Sequence, residues 1–142
     1  MALRNPVRLS RIRLRVRDAR RSAVFYGELF GFREARAEAN GRPRGQLLLR
    51  RSPAAGLPEL LLSEGIGPGE YVAGMEQLGF EVASTEDVAG VYAEASRRGY
   101  SATQPRFYDG HWQTFLFDPD GYKVEVFTRA GPGADETPGL QT

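Results

Sequence analysis

The same order of secondary-structure signals passes twice through this chain, and that duplication restricts the fold more than any other feature of its 142 residues. Arg11-Ile12-Arg13-Leu14-Arg15-Val16-Arg17 alternates with period two, placing Ile12, Leu14 and Val16 on one strand face and the Arg residues on the other. Asp18 stands where an N-cap is wanted. Ser22, Phe25, Tyr26, Leu29 and Phe30 then recur at helical spacing up to Gly31, the expected C′ residue. Strands are predicted at 32–37, 46–50 and 60–63, an order β-α-β-β-β. Residues 77–82 alternate again, Ser84 with Asp87 resembles a capping box, and Val88, Val91, Tyr92 and Ala95 form a second helical stripe ended by Gly99. Further strands are predicted at 102–107, 112–117 and 122–127. Arg11 and Gln77, Val16 and Val82, Asp18 and Ser84, and Glu59 and Glu125 share one offset, 77 − 11 = 66.

The last two strands flank Asp118-Pro119-Asp120-Gly121, in which Pro119 pre-sets a turn φ and Gly121 supplies a positive one, so 115–127 reads as a hairpin. Glu125 is a carboxylate among apolar strand residues. Alternation therefore directs it to the face away from the helix, which is where a functional site is expected.

Composition removes several classes of protein. Cysteine is absent, which rules out disulfides, thiolate metal sites and a cysteine nucleophile. No apolar run approaches the roughly 20 residues of a membrane span, the first residues lack the apolar stretch of a signal peptide, and a cytoplasmic location is expected. Residues 1–51 hold 14 Arg and 4 acidic side chains (14 − 4 = +10), and 52–142 hold 5 basic and 14 acidic ones (5 − 14 = −9). An acidic second half would repel phosphates, so nucleic acid is not the expected partner. The two halves are instead expected to attract each other, within a chain or across a homodimer. There is no Gly-x-Ser-x-Gly elbow, phosphate loop or dinucleotide fingerprint.

Val16-x-Asp18 leading into Phe25-Tyr26-x-x-x-Phe30-Gly31-Phe32, with the closing Phe117-Asp118-Pro119-Asp120-Gly121-Tyr122-x-Val124-Glu125, resembles the vicinal-oxygen-chelate superfamily, which includes glyoxalase I, extradiol dioxygenases and bleomycin-resistance proteins. The resemblance implies an α+β fold of two βαβββ modules, an incomplete barrel with helices outside and a central cleft. The modules are expected at 8–64 and 76–128, with a connection at 65–75 and a disordered tail at 129–142. Metal ligands in that family come from the first and last strand of each module, which here means Arg11, Glu59, Gln77 and Glu125.

Those four residues make an incomplete ligand set. Glu59, Gln77 and Glu125 would be the donors for a divalent Zn, Ni, Mn or Fe, but Arg11 keeps its proton and coordinates nothing. A guanidinium beside Glu59 and Glu125 would satisfy them without a metal, so the favoured reading is a metal-free, cofactor-free cleft. It would bind a small organic molecule, anionic or aromatic, and sequester a drug or metabolite. The rival readings are a metal-dependent lyase, isomerase or dioxygenase, and a scaffold or regulatory module. Arg11, Arg13, Arg15 and Gln77 are candidate ligand contacts, Arg13 and Arg15 for an anion, with Tyr108, Trp112, Phe115 and Phe127 a candidate aromatic wall and His111 a contact beside Trp112. His111, the one histidine, and Glu125 are the candidate acid–base residues, with an exposed loop position the plainer account of His111.

Overall fold

The computed structural model describes residues 5, 8–36, 43–52, 56–65, 77–108 and 110–130. The chain divides into two compact units, Met1–Glu70 and Tyr71–Thr142. The first contains β1 (Arg11–Val16), α1 (Ala19–Phe30), β2 (Phe32–Glu34), β3 (Gln46–Arg51) and β4 (Glu59–Glu64). The second contains β5 (Gln77–Glu81), α2 (Thr85–Arg97), β6 (Arg106–Tyr108), β7 (His111–Phe117) and β8 (Lys123–Thr128). Each unit is thus a βαβββ module, and the fold is α+β. The strands form two separate four-stranded sheets, ordered β1-β4-β3-β2 and β5-β8-β7-β6, and neither closes into a barrel. The expected connection and the tail beyond Ala130 lie largely outside the described residues.

Each helix begins where its cap demands. Asp18 accepts a hydrogen bond from the Arg21 amide at 3.1 Å, which starts α1 three residues before the predicted stripe. Glu64, from the end of β4, accepts from the Ala19 amide at 3.0 Å and supplies the negative charge that the first turn of α1 lacks. Gly31 ends the helix at φ 77°, in the left-handed region. At α2 the Ser84 hydroxyl accepts from the Asp87 amide at 3.2 Å and donates to the Asp87 carboxylate at 3.1 Å, so the shorter acid engages the cap's side chain. Phe25, Tyr26 and Val88 seal the helix–sheet contacts and are fully buried with Leu14, Leu60, Leu62, Leu116, Val124 and Val126.

In both units the first and last strands run parallel and the remaining pairs antiparallel. The predicted strand at 102–107 is instead an isolated bridge, Ala102 to Leu116, followed by β6 from Arg106. Pro105 offers no ladder N–H. Thr103 bridges the gap: its amide donates to the Phe115 carbonyl at 2.9 Å, and its hydroxyl accepts from the Phe115 amide at 3.0 Å.

The ladders also correct the internal repeat. Arg11 faces Glu59 in the first unit, whereas Gln77 faces Lys123 in the second and Glu125 faces Gly79. The offset is therefore 66 at the first strands and 123 − 59 = 64 at the last, which makes Lys123 the register equivalent of Glu59. The second unit spans two residues fewer between these strands, a deletion that leaves the alternation, and hence the face, unchanged.

Candidate functional site

The sheet faces turned away from the helices carry the polar chemistry. On the first, β1 presents Arg11, Arg13 and Arg15, β4 presents Glu59, Leu61 and Ser63, and β3 presents Gln46, Leu48 and Arg50. Leu48 and Leu61 are buried on this face and give the charged groups an apolar floor. Arg11 donates through Nε and a terminal nitrogen to Glu59 Oε1 at 3.3 and 3.1 Å, and Arg50 Nε donates to Glu59 Oε2. Both carboxylate oxygens are thus taken by guanidiniums. The hydrogen bond from Arg50 leads in holding the Glu59 carboxyl below the usual range, and Arg11 adds to it against the opposing effect of burial. Arg13 donates to the Ser63 hydroxyl at 3.0 Å. Arg15 packs along Gly65, where a Cβ would stand 2.5 Å from its Cδ. The glycine keeps the guanidinium's path open.

Arg50 was not singled out in the sequence. Its signal was the period-two face of 46–50, on which Arg50 follows Gln46 and Leu48, but its meaning depends on the β3–β4 register. One step beyond the Leu49–Leu60 pair, that register sets Arg50 opposite Glu59.

On the second sheet the open face carries Gln77 and Gly79 from β5, Lys123, Glu125 and Phe127 from β8, His111, Gln113, Phe115 and Phe117 from β7, and Arg106 and Tyr108 from β6. Gln77 Nε2 donates to Glu125 Oε2 at 2.8 Å. Glu125 therefore takes its bond from the amide of its own unit. The aromatics are capped by cations: Lys123 over Phe115 at 4.1 Å, Arg106 over Tyr108 at 4.6 Å and Arg129 over Phe127 at 5.5 Å. His111 lies against Phe127 with ring centroids 5.0 Å apart. Trp112 stands on the opposite face, level with Thr128 and away from Phe115 and Phe127, because adjacent strand residues point to opposite sides. Gln113, on this same face, is only 2% exposed; its Nε2 donates to the Tyr108 carbonyl while its buried Oε1 has no hydrogen-bond partner among the described residues.

The donor set fits a metal poorly. Glu59 is saturated by two guanidiniums, Gln77 turns its amide N–H toward Glu125, and among the described residues no group of three or more His, Cys, Asp or Glu comes together. Catalytic divalent-cation sites are usually built on about three protein ligands, more than the Gln77–Glu125 pair supplies.

Two copies of a βαβββ unit, each with one helix-covered face and one polar face beside a parallel first–last strand pair, define a class of paired-module proteins. The chain belongs to the Glyoxalase/Bleomycin resistance protein/Dioxygenase superfamily, whose family model matches residues 8–126. Among solved structures it is similar to a glyoxalase/bleomycin resistance protein/dioxygenase family enzyme from Burkholderia phytofirmans PsJN, with TM-score 0.67, 20% identity, and coverage of 86% of this chain and 98% of that one. It is similar also to lactoylglutathione lyase from Agrobacterium tumefaciens, with TM-score 0.64, 16% identity and coverage of 87% and 94%. A domain of the same superfamily from Frankia sp. EAN1pec matches with TM-score 0.67, 20% identity and coverage of 89% and 98%. At these identities the likeness is one of fold. Among proteins of curated function, none matches the chain significantly.

Proposed function

We propose that this protein binds a small organic molecule on the open faces of its sheets, without a metal, and sequesters it rather than transforming it. The carrying observation is the double guanidinium clasp on Glu59, which occupies the carboxylate that a metal-using relative would offer to its cation. Arg13 and Arg15 suit an anionic group on the ligand, and Phe115, Phe127 and Tyr108 suit a flat or apolar body. The unpaired Gln113 Oε1 favours a ligand that also carries an N–H or O–H donor, since a buried acceptor without a partner costs about 1–3 kcal/mol. A homodimer and a cytoplasmic location complete the reading. Among the described residues no helix is long and apolar enough to cross a membrane.

The enzyme reading draws on one specific observation, the Gln77–Glu125 contact, which holds two oxygen-bearing side chains together as partial ligands. Metal analysis of protein purified without chelator separates the two. Sub-stoichiometric Zn, Ni, Mn and Fe, unchanged in Glu125→Ala, is expected. A stoichiometric metal lost in that variant would overturn the proposal. Thermal stabilisation by a panel of anionic aromatics, weakened in Arg13→Ala, is the matching positive result and distinguishes a binder from a scaffold.

A further inference from the structure

A second feature of the first unit lies at the end of its sheet, where Arg50 and Glu59 of the open face meet the segments that lead into β1 and β4. A cavity of about 260 Å³ is lined by Arg8, Leu9 and Ser10 ahead of β1, by Arg50 and Arg51 at the end of β3, and by Gly56, Leu57, Pro58 and Glu59 leading into β4. These segments are tied together locally. The Glu59 amide donates to the Ser10 carbonyl at 2.9 Å, and Gly56 turns the chain at φ 81°.

The charge of this cavity is unbalanced. Its lining residues include three arginines, Arg8, Arg50 and Arg51, and one carboxylate, Glu59. Both oxygens of that carboxylate are already engaged, by Arg11 and Arg50. Arg51 spends its Nε on the Phe30 carbonyl at 2.9 Å. The terminal nitrogens of Arg50 and Arg51 and the whole guanidinium of Arg8 have no other hydrogen-bond partner among the described residues, and the side chains of the lining residues sum to a charge of 3 − 1 = +2. Leu9, Leu57 and Pro58 supply an apolar wall, and Leu9 is 66% exposed.

We propose that this cavity is a binding site for a small phosphate monoester with an apolar body. A phosphate monoester carries about −1.5 to −2 charge at neutral pH, which matches the residual charge, and three oxygens that guanidiniums bind in forked pairs. The apolar wall recognises the group esterified to the phosphate. The volume lies just below the roughly 300–1,000 Å³ of drug-sized sites, which limits that group to one ring or a short chain. The site rests on residues 8–10, 50–51 and 56–59 and does not require that the open faces bind anything.

The test is an amide NMR titration of the full chain with phenyl phosphate, inorganic phosphate and phenol. Phenyl phosphate is expected to shift the amides of Ser10, Arg51, Gly56 and Leu57 saturably, inorganic phosphate the same amides more weakly, and phenol none of them. Arg8→Glu, at an exposed position, is expected to weaken phenyl phosphate by at least about tenfold by reversing one of the charges on the anion. Leu9→Ser should weaken phenyl phosphate by about threefold and leave inorganic phosphate unchanged. Shifts that ignore Arg8→Glu, or equal shifts with phenol, would overturn the assignment. Shifts confined to Arg13 and Ser63 would overturn it as well and leave the open-face reading standing.

Discussion

Glu59 gathers two arginines onto one carboxylate, with two hydrogen bonds from Arg11 and one from Arg50, so its replacement by Gln removes the charge behind all three and leaves one acceptor oxygen for the two guanidiniums. Its side chain is only 24% exposed, but Arg11 and Arg50 are about half in solvent, at 48% and 57%. Solvent screening therefore holds the expected loss in urea unfolding to about 1 kcal/mol. The pH dependence has a definite sign. The folded carboxyl lies below its ordinary 4.5, so the increment is complete above that value and disappears as pH falls through the lowered folded one. Wild type and Glu59→Gln should accordingly differ at pH 7 and converge in acid. A constant difference down the acid limb would contradict the clasp. Glu94 makes a second such case on α2: hydrogen bonds from Arg97 and then Arg98 lower its carboxyl to about 2, a value that side-chain NMR titration would read.

The elements depend on a few backbone fixtures. Gly31 closes α1 in the left-handed region, and a Cβ there would meet only Arg51 Nε at an ordinary 3.5 Å. Gly31→Ala should thus cost about 1 kcal/mol through backbone conformation alone, seen as a lower urea midpoint with an unchanged slope. In the hairpin, Asp118 is 5% exposed and its Oδ1 accepts from the amides of Asp120 and Tyr122 at 2.9 Å each. It orders the turn that leads into β8 and thereby sets the register of Glu125. Asp118→Ala should cost about 2–3 kcal/mol by leaving those amides unpaired, while Asp118→Asn, which retains an acceptor, should recover a good part of it.

At the scale of the whole molecule, the charges of +10 on residues 1–51 and −9 on 52–142 favour association between copies as well as within one. Sedimentation equilibrium is expected to give twice the 15.7 kDa chain mass, with weaker association at about 0.5 M salt, where the screening length falls to a few ångströms. A monomer at low salt would remove the dimer from the functional reading. Membership of the superfamily carries no reaction by itself, because the same fold serves enzymes and binders; the side chains on the open faces have to decide between them.

Alternation, caps and turn residues acted over a few positions each, and from them the two βαβββ modules, both helix starts and the open-face positions of Arg11, Glu59, Gln77 and Glu125 could be read in the chain alone. Where local patterns conflicted or were silent, long-range pairing decided. Pro105 shortened a strand, and a two-residue deletion moved Lys123 into the register place assigned to Glu125. Trp112 was placed across the sheet from the aromatic residues named with it. Of the partners of Glu59, Arg11 was expected from the sequence, which also set it beside Glu125, whereas Arg50 meets Glu59 only through a strand register that no local pattern specifies, and Glu125 bonds to Gln77 instead. Which groups could occupy a face was thus written in residue types and their period. Which of them touch, and hence whether a carboxylate is left for a metal or held by guanidiniums, followed from pairing between distant strands.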